Sequence, residues 1–318
     1  MNPFQIGESG ERRGHAFTSA NRFAFIMMGV MVAGSAAIAL LMKTLNTDSV
    51  VLQYILFYGL QFTIPLVIYL QILGRRDPGR KPAQVLRLKM PCSKYTFVLA
   101  ALFAVLIQPS MMVISALSSL FFHNYLEDAM VNYLSQPMWV TLILMAVLPA
   151  VFEESLCRGL YLNGCREVRT FAAAVLGGLF FGMLHMNPQQ AIYAAVFGFF
   201  CTMLAIGSDS IFPSMLVHFL INGIQMVLAY VTPAEEAAAE VSRTEILSAA
   251  LQSLPIALLT LGVSLWCMIR IFRVNGRDYL LRGGTENGRT PLSLREMLPG
   301  LAFFAGCILV FAGLCLLV

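Results

Sequence analysis

Glu153, Glu154 and Arg158 put three formal charges into Val151-Phe152-Glu153-Glu154-Ser155-Leu156-Cys157-Arg158, a stretch whose surroundings are otherwise apolar enough to cross a membrane. Each charge at that depth costs roughly 2.5–3.5 kcal/mol on insertion scales, so their presence implies a task. Glu154 and Arg158 stand at i and i+4 with the acid first, the spacing and order at which a helical ion pair closes. Glu153 has no such partner on its own helix. It lies about 100° further round the helix and looks toward a different neighbour. A paired carboxylate beside an unpaired one is the arrangement to explain, and its plainest reading is two acids neutralised by bases at a membrane edge.

Two further apolar segments carry buried ionisable groups. His185 closes Phe181-Gly182-Met183-Leu184-His185, preceded at four-residue steps by Ala174, Gly178 and Gly182. Small residues at that spacing let a neighbouring helix approach closely. His218 and Asn222 stand at i and i+4 in the next segment but one, on one helical face. A carboxylate, two imidazoles and a carboxamide in a low-dielectric cavity form a hydrolytic set: Glu153 or a neutral histidine takes a proton from water, and a histidine or asparagine donor steadies the oxyanion. The same Glu153, His185 and His218 also suit a divalent metal such as Zn2+, with an open position for water. Cys157 follows Glu153 by four residues without a partnered histidine at nucleophile spacing and is read as packing.

The elements that must position these residues are membrane helices. Of 318 residues, 58% are apolar and 12% charged, and the mean hydropathy is +0.75. This excludes a soluble domain of the same size. Apolar runs at about 23–42, 50–73, 95–121, 138–163, 171–187, 189–206, 211–231, 247–272 and 298–318 each approach the ~20 residues that cross the hydrocarbon layer. The expected fold is therefore all-α, a polytopic transmembrane bundle of about nine spans. The 171–206 pair, divided only by Met186-Asn187-Pro188, reads either as a tight hairpin or as one broken element. The first run exceeds a signal-peptide core and is read as a retained span. The seven cysteines form no C-x-x-C pair or zinc-finger spacing.

Charge sets the orientation. With the N-terminus inside, the inner segments collect all of the 21 basic residues except Lys43 and Arg243, as the positive-inside rule requires. The N-terminus is expected in the cytoplasm and the C-terminus outside, with Glu127, Asp128, Glu235, Glu236, Glu240 and Glu245 in outer loops. The basic loops 74–94 and 273–297 lack interleaved aromatics, which argues against nucleic acid and for anionic lipid headgroups as their neighbours. At ~1.5 Å per residue, Glu153 lies roughly 16 Å from the inner face, His185 roughly 22 Å, His218 roughly 10 Å and Asn222 roughly 16 Å. All fall inside a ~30 Å core, and a cavity delivering water to them is expected to open toward the cytoplasmic half.

Glu153-Glu154-x-x-x-Arg158, Phe181-x-x-x-His185 and His218-x-x-x-Asn222, with Pro213 five residues before the last histidine, resemble the three motifs of the CPBP family, the CAAX-protease and bacteriocin-processing intramembrane proteases. The resemblance covers about 138–231, which implies a four-helix catalytic core there, with a tail at 1–22 and accessory spans at 23–137 and 232–318. It implies a peptidase whose water is activated by Glu153 and His185, with His218 and Asn222 steadying the oxyanion or holding metal, and Glu154 and Arg158 orienting the site. Both a zinc-dependent and a metal-free mechanism fit the family. The substrate implied is a membrane-associated protein or small peptide precursor. Two other readings use the same residues: a proton- or ion-coupled transporter, whose repeated halves are not visible here, and a catalytically silent immunity or assembly factor on the protease scaffold.

Overall fold

In lipid every backbone N–H and C=O must find its partner inside the protein, so each apolar run has one low-cost conformation, the helix. The computed structural model describes residues 4–79, 81–123, 130, 132–232 and 242–317. Among these residues there is no strand, and the helices longer than five residues are α1 (Phe4–Thr44), α2 (Val50–Arg76), α3 (Tyr95–Ser119), α4 (Met138–Gly164), α5 (Thr170–Leu184), α6 (Pro188–Ser208), α7 (Phe212–Val231), α8 (Arg243–Val274) and α9 (Leu294–Leu317). Eight are long and apolar enough to span; α5, with 15 residues, is the shorter ninth. The expectation of nine apolar segments holds, with one of them too short to cross alone. Arg80, Glu127, Asp128, Glu235, Glu236 and Glu240 lie outside the described residues.

The 171–206 pair is a tight hairpin. α5 ends at His185, Met186 takes a left-handed φ of 50°, and Asn187 caps α6 by accepting from the backbone N–H of Gln189 at 3.0 Å and Gln190 at 3.5 Å. Pro188 stands at the first helical position, where its missing N–H costs nothing. A Cβ on Gly182 would come within 2.6 Å of the Ala191 carbonyl, and one on Gly178 would meet the Ala195 carbonyl. The Ala174/Gly178/Gly182 stripe thus brings α5 and α6 to backbone contact. At ~1.5 Å per residue α5 is about 22 Å long, so its turn, and His185 with it, stops short of a ~30 Å layer.

α4–α7 form the centre. α3 packs on α6 and α7 and is itself backed by α8, while α1 packs on α9 and against α2, α4 and α5. The basic loops meet on one face. Arg87 bonds Glu286 and Asp209, Lys89 bonds Asp209, Arg277 bonds Asp209 at 2.9 Å and Glu286 at 2.8 Å, and Arg289 bonds Glu167 at 3.2 Å. The segments around 87, 167, 209 and 286 therefore lie together, as the charge distribution requires. On the opposite face Tyr230 donates to the Gln136 carbonyl at 2.6 Å, and Thr141 donates to the Tyr133 carbonyl at 3.0 Å.

Candidate active site

Helix α4 is irregular at the point where it carries its charges. Two π-helical stretches, Ile143–Val147 and Ser155–Tyr161, flank the segment Leu148–Glu154. Such bulges re-aim side chains and are frequent at functional sites. Pro149 lies between them and has no N–H to give to the carbonyl four residues back, that of Met145. Asn222 Nδ2 supplies the donor instead, at 2.9 Å. A proline on one helix thereby fixes the third-motif asparagine on another.

Glu154 and Arg158 are both fully enclosed, with side chains 0% exposed, and their ion pair closes at 2.9 Å from Arg158 Nη1 to Glu154 Oε1. Arg158 Nη2 also donates to the Gly198 carbonyl at 3.0 Å, and its guanidinium sits 4.5 Å from the centre of the Phe181 ring. The same Glu154 oxygen lies 2.9 Å from His218 Nδ1. A carboxylate only accepts, so Nδ1 carries the hydrogen and Nε2 points the other way, an acceptor when the ring is neutral. That Nε2 faces Glu153 Oε2 at 3.9 Å. Glu154 therefore orients His218 as well as pairing with Arg158, a role the i, i+4 spacing alone does not reveal.

Glu153 is 13% exposed at its side chain and accepts a hydrogen bond from Tyr58 Oη at 3.1 Å. His185 Nδ1 lies 3.0 Å from the Phe181 carbonyl, which accepts, leaving Nε2 as that ring's free acceptor. Phe181 thus serves three groups: its carbonyl holds His185, its face covers Arg158, and its ring stands edge-on to His218 at 5.6 Å.

Glu153, His185, His218 and Asn222 all line one cavity of about 750 Å³. Glu154 and Arg158 lie behind its wall. Tyr58, Gln108, Gln189 and Gln225 also line it; sequence reasoning passed over them because it sought ionisable groups, although polar residues isolated in apolar spans were the available signal. The cavity corrects one expectation. Its lining comes from α1, the N-terminal half of α2, the C-terminal half of α3, α4 as far as Glu153, the α5–α6 turn with the first half of α6, and α7 from His218 onward, most of it in the half away from the basic loops. His185 contributes from that half because α5 starts beside Gly284 at the basic face and carries it about 22 Å away.

Among the described residues no group of three or more His, Cys, Asp or Glu side chains is gathered closely enough to hold a metal ion. Nδ1 of His218 is committed to Glu154 and Nδ1 of His185 to a carbonyl, so only their Nε2 atoms remain as donors. In this arrangement Glu153, His185 and His218 do not form a ready zinc site.

Residues 135–224 match the Rce1-like family model, described as type II CAAX prenyl endopeptidase Rce1-like. The match contains all three motifs, is consistent with the CPBP/CAAX protease family and supports, at the level of the family, an intramembrane CAAX-type endopeptidase. No curated protein and no solved structure matches the chain.

Proposed function

We propose that the protein is an intramembrane endopeptidase in which Glu153 is the general base. The observation that supports this most is the meeting of Glu153, His185, His218 and Asn222, from three separate helices, around one cavity. A water within reach of Glu153 Oε2 and His218 Nε2, which lie 3.9 Å apart, gives one proton to Glu153 while its oxygen attacks the scissile carbonyl carbon. His185 Nε2 accepts from the water's other hydrogen and fixes its orientation. The carbonyl becomes an oxyanion facing the Asn222 carboxamide, whose Nδ2 keeps a second hydrogen beyond the one given to Met145. The C–N bond then breaks, and Glu153 returns its proton to the leaving amine. Glu154 and Arg158 do not touch the reacting atoms; they hold His218 in its tautomer.

Zn2+, if bound, would act as a Lewis acid on the water, and Glu153, His185 and His218 would have to draw together to hold it. Dialysis against a chelator, followed by metal assay and zinc addition, tests that form. The basic face is assigned to the cytoplasm by the positive-inside rule, which puts the C-terminus outside and lets the membrane-associated protein or peptide substrate enter from the outer half. The test of the function is hydrolysis of internally quenched peptides by the purified protein in liposomes. Glu153→Gln should lower turnover by at least about 10²-fold, the lower range for losing a general base. Undiminished cleavage by that variant would remove Glu153 from the chemistry.

A further inference from the structure

The stripe that begins with His218 and Asn222 continues one turn further to Gln225, so positions 218, 222 and 225 share a face of α7. Gln225 Nε2 donates to Gln108 Oε1 of α3 at 2.6 Å. Gln108 Nε2 is then left buried with no hydrogen-bond partner. Four residues beyond His185, on α6, Gln189 Nε2 donates to the Ser115 hydroxyl of α3 at 3.0 Å and to the Ser115 carbonyl at 3.3 Å. Its Oε1 is likewise buried without a partner. Gln108 is 8% exposed and Gln189 2%, and both line the cavity.

One orphaned amide donor and one orphaned amide acceptor thus belong to residues in the wall of the cavity that holds the carboxylate. An unmet buried amide is a cost that a native fold seldom keeps without reason. The complement of a donor and an acceptor together is a peptide group. A polypeptide presented for hydrolysis in a low-dielectric site has to be unwound at the scissile bond, and each unwound residue loses its own backbone partners. The carboxamides replace them. From His218 to Gln225 the rise is about 10 Å along α7, the length of about three residues of extended chain.

We propose, on the basis of the endopeptidase reading above, that Gln108, Gln225 and Gln189 form a subsite that binds the backbone of an extended polypeptide two to three residues from the scissile bond. Contacts to backbone atoms confer grip without choosing side chains, so the subsite suits an unwound segment of varied sequence.

The experiment uses the full-length protein in liposomes and, as probe, the internally quenched dodecapeptide that it cleaves fastest from a defined set. Gln108→Met and Gln189→Met should each raise KM at least 10-fold while kcat changes less than threefold and Tm is unchanged or higher. Replacing single amides of the probe by esters should weaken binding to the parent at one position two to three residues from the cleaved bond. The variants should lose nothing further from that same replacement. Should Gln108→Met fail to accumulate, Gln225→Met removes the same pair from its more open side. Anisotropy of a labelled probe on Glu153→Gln, with and without the Gln108 substitution, reads affinity apart from turnover. Cleavage that depends on Glu153 but has KM within twofold of the parent in every glutamine variant overturns the subsite alone. A parent protein that cleaves no peptide of the set, or a Glu153→Gln variant as active as the parent, overturns the function and the subsite with it.

Discussion

Two charge clusters in this molecule both set arginine against carboxylates and differ in what they leave unpaired. At the basic face Arg87, Lys89 and Arg277 surround Asp209 and Glu286, and each carboxylate is bonded by more than one cation. In the core, among the described residues, Arg158 is the single fixed cation for Glu153 and Glu154, and it pairs with Glu154. Glu153 has a tyrosine hydroxyl and, beyond hydrogen-bond range, Nε2 of His218. The first cluster ties the loops together and has no charge left over on its acids. The second is anionic in excess and aims that excess into a cavity. Saturation marks a charge group that holds a fold, and a single under-supplied carboxylate beside a cavity marks one poised to take a proton.

The sharpest way to break this contrast is to unpair the core. Arg158→Ala strands Glu154, whose side chain is fully enclosed, without its cation, at an expected cost of about 3–5 kcal/mol. The folded yield in membranes should fall well below that of the parent; normal abundance with lost turnover would instead place Arg158 among the reacting groups. Asp209→Asn keeps the shape of the loop junction but removes a charge that Lys89 and Arg277 share. A loss of about 1.5–3 kcal/mol, the worth of a hydrogen bond to a charged group, should appear as a lower Tm with turnover per folded molecule unchanged.

Tyr58→Phe removes one neutral donor from Glu153 and leaves the ring packed on Phe152. A cost of about 1 kcal/mol, close to a fivefold loss of turnover without a change in Tm, is expected. The smallest effect is in acid. Burial pushes the Asp209 carboxyl up, but the Lys89 hydrogen bond and the Arg277 and Arg87 charges outweigh it and hold it below the ordinary range. Its stabilisation is therefore complete above the unfolded carboxylate value of about 3.9 and fades as pH falls through the lower folded value. Tm measured against pH should drop in that acid window for the parent more steeply than for Asp209→Asn.

Much of this arrangement was legible in the residues because lipid makes polarity conspicuous. The helices, the shared face of the basic loops and the Glu154–Arg158 pair follow from hydropathy, charge placement and i, i+4 spacing. The side of the cavity did not follow: counting already put His185 about 22 Å up, but the residues of α2, α3 and α7 that extend the lining toward that end were not among the ionisable groups sought. Nor did the link between Glu154 and His218, which depends on how α4 and α7 pack. Asn222 was visible as a polar residue, but its hold on the Met145 carbonyl needs the Pro149 irregularity to bring the two helices into register.

The most direct test sets one residue of each cluster against the other in a single pair of assays. Glu153→Gln and Asp209→Asn are purified in liposomes, and for each the thermal midpoint and the rate of peptide hydrolysis per folded molecule are measured. The account predicts a crossed result: Glu153→Gln keeps the parent's Tm and loses at least about 10²-fold in rate, whereas Asp209→Asn lowers Tm and keeps the rate. Hydrolysis at the parent's rate by Glu153→Gln would contradict the claim that the unpaired carboxylate is the base.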